Sequence, residues 1–171
     1  MLYHLFDWYF AGDTKYAYGD PLFRGTLGLY GRSCANHVVA EADLVIYAGS
    51  NTSDHTTANW KMPKPGTAVI QIDLDPVEIG RNYPGSIGVL ADVRAALDAL
   101  AAAAPAAKHD DWLARTRKYA DEWRAEAEKA RASEAVPLRP ERLCRELTDV
   151  LPRDAILIAD TGYAALWTNT L

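Results

Sequence analysis

Three glycines at every third position, Gly25, Gly28 and Gly31, followed by Asn36, make the most informative local pattern in the chain. Glycine permits positive φ and close backbone approach, and a helix opening near Ser33 would aim its first N–H groups at an anion lying over the turn. The spacing is not the dinucleotide fingerprint, which comes after a strand and sets its first two glycines one residue apart. A tight turn packed on a neighbouring strand reads equally well. Two further groups complete the candidate binding set. Ser50 and Asn51, in the run Gly49-Ser50-Asn51-Thr52-Ser53-Asp54, offer groups suited to a phosphate or adenine, or else form a polar loop with a helix cap. Asp73 and Asp75 close an apolar run. Acids there could accept from a ribose hydroxyl or a flavin ring donor, or cap the next turn.

No catalytic set and no metal-ligand set is expected. His4, His37, His55 and His109 are scattered, without a paired nucleophile and without two-histidine metal spacing. Cys34 and Cys144 stand alone, so neither a zinc site nor a disulfide framework is suggested.

The elements that must position these groups have an α/β pattern. Apolar runs at 43–49 and 68–75 read as buried strands of a parallel sheet, with a short strand at 87–90. Helices are expected at 34–42 and, more weakly, at 56–62, and Asp92 should cap a helix that Pro105 stops. Residues 108–131 predict an amphipathic helix with Trp112, Thr116, Tyr119 and Trp123 as a stripe. That stripe could rest on a neighbouring domain or meet a peptide or membrane. Favourable pairs along it are Asp111–Arg115, Glu126–Lys129 and Glu128–Arg131. Pro140 should open a further helix with Leu143, Leu147 and Val150 on its apolar face, residues 154–160 a strand, and a last helix should start after Tyr163.

The division expected is an N-terminal segment at 1–20, a Rossmann-like central domain at 21–105, a helical linker at 106–136, and an incomplete second α/β domain at 137–171. The chain has 171 residues, 49% of them hydrophobic and 24% charged, which excludes disordered and collagen-like classes. A net charge of -5, without a dense basic cluster, argues against nucleic acid as the main partner. No apolar run approaches the roughly 18 residues of a membrane span, and the aromatic start lacks a basic leader region, so a cytoplasmic protein is expected.

The run Gly25-Thr26-Leu27-Gly28-Leu29-Tyr30-Gly31 with Ala35-Asn36, the run from Glu41 to Gly49, and the run from Ile70 to Asn82 together resemble the central domain of thiamine-diphosphate-dependent enzymes of the acetolactate synthase group. Asp92-Val93-Arg94 with Leu97 and Leu100 continues the match, and residues 138–167 resemble the start of that family's diphosphate-binding domain, including the turn Asp160-Thr161-Gly162. The resemblance implies a three-domain parent, a homodimer or homotetramer, that uses thiamine diphosphate and Mg²⁺ on a 2-keto acid. It implies FAD or ADP as ligands of the central domain, with Gly28, Gly31, Asn36, Ser50, Asn51, Asp73, Asp75 and Gly162 as cofactor-binding residues. Asn51 stands where flavin-binding synthases tend to carry arginine, and Tyr163-Ala164 where they tend to carry Gln-His, so the broader class of 2-keto acid carboligases and decarboxylases is the expected parent. The activating glutamate and the Mg²⁺ motif of the family have no counterpart here, so the chain alone is expected to be inactive. The alternatives are a free-standing FAD- or ADP-binding module without catalysis, and a truncated frame without a role of its own.

Overall fold

The apolar runs that end at Gly49 and Asp73 lie side by side in the computed structural model, which describes residues 22–152, 154–160 and 162–170. Helix α1 (Ser33–Glu41) leads into β1 (Leu44–Ala48), and β2 (Ala68–Asp73) and β3 (Ile87–Leu90) come after it. The three strands form one parallel sheet in the order β1-β2-β3. Leu44 pairs with Ala68, and Ile70 with Ile87. The segment expected at 1–20 and Thr161 lie outside the described residues.

Alternation of burial along β1 sends Val45 and Tyr47 to one face, where they meet Val39, Met62 and Val69. Both strands read as buried, yet the opposite face is only partly covered: Leu44 is 44% exposed. Buried Gln71 explains how β2 reaches β3 without a crossover helix. Its side-chain oxygen accepts from Gly80 N (2.8 Å) and Ser86 Oγ (2.7 Å), and its Nε2 donates to the Glu78 carbonyl (3.3 Å). One side chain thus satisfies three groups of the returning loop.

The helix expected at 56–62 is not formed. One turn closes between Ser53 and Thr57 and another between Thr57 and Lys61, and within the second Ala58, Asn59 and Trp60 all lie at positive φ (52°, 58° and 56°). Thr57 is responsible for the break. Its fully buried hydroxyl donates to the Ser53 carbonyl (2.7 Å) and accepts from Trp60 N (3.0 Å), replacing the ladder a helix would need.

Beyond the sheet, Asp92 caps α2 (Val93–Ala103) by accepting from Ala95 N at 3.0 Å. Helix α3 (Asp110–Arg131) carries Asp110 and Asp111 in its first turn and Lys129 and Arg131 in its last, the charge order that suits its dipole. Its stripe rests on α1 and on the segment leading into it. Tyr119 donates to Glu41 Oε1 (2.7 Å), the Arg32 guanidinium stands 4.4 Å from the Trp123 ring centroid, and buried Thr116 accepts from Arg24 Nη2 (3.2 Å). Arg115 pairs with Glu41 (3.6 Å) rather than with Asp111, because the stripe turns it toward α1. The Glu128–Arg131 pair is present at 4.0 Å.

Helix α4 (Pro140–Val150) begins at its proline, and α5 (Tyr163–Thr170) begins just after Gly162. The strand expected at 154–160 does not form: residues 155–160 have no regular structure, and Ile156 and Ile158 are each 88% exposed. A strand is completed by a ladder, and no described strand lies beside this one. The apolar face of α4 is similarly uncovered at Leu143 and Val150.

Candidate functional site

Gly28 adopts φ +108°, and a Cβ there would collide with the His55 carbonyl oxygen and stand 2.9 Å from Thr56 Cα. Only glycine therefore lets the turn lie against the loop that leaves β1, where Leu29 N donates to His55 O at 2.8 Å. Asn36, from the first turn of α1, closes the turn from the other side. Its Oδ1 accepts from Gly28 N and its Nδ2 donates to Gly28 O, both at 2.9 Å. Gly31 N donates to Gly28 O (3.1 Å). The Gly28 N–H is thus taken by Asn36 and the Gly31 N–H by the turn itself.

Gly49 N donates to Ile72 O (2.8 Å), placing Ser50, just past the end of β1, beside Asp73, the last residue of β2, at one sheet edge. Ser50 is buried, and its hydroxyl accepts from Thr52 N (3.2 Å). The Asn51 side chain accepts from Ser53 N (3.2 Å), while its carbonyl accepts from Arg81 Nη2 (3.0 Å) and Asn82 Nδ2 (3.4 Å). Asp73 Oδ1 accepts from Asp75 N, and Asp75 Oδ1 from Val77 N, each at 2.9 Å. Both acids therefore shape successive turns after β2.

Seven candidate residues thus form one connected edge. The glycine turn with Asn36 binds the loop at His55, and that loop binds the turn after Asp75 through Arg81 and Asn82. Gly162 is not joined to them. It sits at φ +101° before α5, where its carbonyl accepts from Leu166 N (3.0 Å).

Sequence reasoning named Asn82 only within the longer motif, yet its amide is the edge's main clamp. Nδ2 reaches Thr52 O at 3.1 Å and Thr52 Oγ1 at 2.9 Å, and Thr52 is fully buried at φ 48°. The separation of 30 residues gives no local signal. Gln71 did leave one, as a polar residue at a buried strand position.

Burial pushes the Cys34 thiol up, and its Sγ donates to Arg24 O at 3.1 Å. Burial, with the Tyr83 hydroxyl beside it, also raises Tyr47. The hydrogen bond from Tyr119 lowers the Glu41 carboxyl and raises Tyr119 itself, and Arg115 adds to the effect on Glu41.

Among the described residues no three His, Cys, Asp or Glu side chains cluster, and Asp73 and Asp75 each already accept a backbone N–H. Among the described residues no helix is long and apolar enough to cross a membrane.

Residues 10–100 match the family model described as the central domain of thiamine pyrophosphate enzymes. The chain is 30% identical over 156 residues to a probable acetolactate synthase large subunit of Methanocaldococcus jannaschii, covering 86% of this chain and 26% of that protein. It is 30% identical over 151 residues to the acetolactate synthase isozyme 2 large subunit of Escherichia coli K12, with the same coverage. The pyruvate oxidase of Lactiplantibacillus plantarum is 27% identical over 149 residues, which is 87% of this chain and 24% of the oxidase. The chain spans about a quarter of the length of the curated relatives it matches.

Proposed function

The chain belongs to the thiamine pyrophosphate enzyme family, whose central domain it carries, and from that premise we propose that it is the scaffold portion of an acetolactate synthase-like carboligase or decarboxylase of 2-keto acids. The observation behind this reading is the closed sheet edge. Gly28, Gly31, Ser50, Asn51, Asp73 and Asp75 spend hydrogen-bonding groups on their own turns, and Asn36 and Asn82 lock those turns in place. An edge satisfied in this way holds a fold, whereas a phosphate site needs N–H groups left free to point at the anion.

In this reading thiamine diphosphate and Mg²⁺ are held by other parts of a homodimeric or homotetrameric enzyme, and neither FAD nor ADP is needed at this edge. Helix α3 joins the scaffold to residues 137–171, anchored by Thr116 to Arg24, by Tyr119 to Glu41 and by Trp123 to Arg32.

An assay of the purified chain with pyruvate, thiamine diphosphate and Mg²⁺ tests it. The expected result is no release of carbon dioxide and no acetolactate above the cofactor-only blank. Turnover that scales with the chain's concentration and needs the cofactor would contradict the scaffold reading.

A further inference from the structure

We draw no further inference here: the strongest candidate, the apolar surface patch that α4 exposes at Leu143 and Val150 together with Ile156 and Ile158 of the segment after it, carries nothing, because nothing in the structure shows what covers it.

Discussion

Gly28 and Asn36 bind each other twice, the side-chain amide of one closing both backbone groups of the other at 2.9 Å. The pair ties the glycine turn to α1, and through Leu29 and His55 to the loop after β1. Asn36→Ala should therefore cost about 1–3 kcal/mol, the range for leaving partly buried polar groups unmet. Urea denaturation checks this. Gly28→Ala should cost more than Asn36→Ala, because it adds a collision with the His55 carbonyl to an unfavourable φ.

Thr116 links helix α3 to the segment before α1 by accepting from Arg24. Thr116→Val keeps the shape and removes the acceptor, and should destabilise by about 1.5–3 kcal/mol, the range for a hydrogen bond to a charged group. Thermal unfolding monitored by circular dichroism reads the loss. Thr116→Ser, which keeps the hydroxyl, should recover most of it.

The Glu41–Tyr119 contact should give the chain a pH signature. The folded-state pKa of Glu41 lies below its ordinary 4.5, so the contribution is present above that value and is lost as pH falls through the lowered pKa. Tyr119 is raised above its ordinary 10, so its contribution is present below that value and is lost as pH rises through the raised pKa. Tyr119→Phe should leave stability less changed by pH at both ends. Denaturation midpoints followed from neutral pH to the acid side of Glu41 and to the alkaline side of Tyr119 measure it. Wild type and variant curves of identical shape would count against the contact.

Ile156 and Ile158 lie open in a segment without a ladder. The double variant Ile156→Lys, Ile158→Lys should change stability by no more than about 0.5 kcal/mol, as at other exposed sites. It should also lower self-association, since exposed apolar segments template it. Sedimentation velocity with a parallel thermal melt separates the two effects.

The strands were readable because Gly49 and the Asp73-Leu74-Asp75-Pro76 turn punctuate apolar runs, and α2 because Asp92 stands where a cap must. Period and capping are local chemistry, visible in neighbouring residues. The turn at Thr57 was not readable, since whether its hydroxyl takes over backbone bonds depends on its burial. Residues 154–160 have strand composition, but a strand is a property of two segments, and its partner is not among the described ones. At the candidate site the types and order of Ser50 and Asp73 pointed to one sheet edge, while the place of Gly28 beside them did not show. The bonds from Asn36 and Asn82 that fill it cross 8 and 30 residues, beyond the reach of local pattern.

The closed edge is tested most directly by calorimetric titration of the purified chain with FAD, ADP, and thiamine diphosphate plus Mg²⁺. The scaffold account predicts no saturable heat for any of the three. Micromolar binding of FAD or ADP would show a working nucleotide site, and saturable binding of thiamine diphosphate with Mg²⁺ would show that the chain holds the cofactor itself; either result contradicts the account.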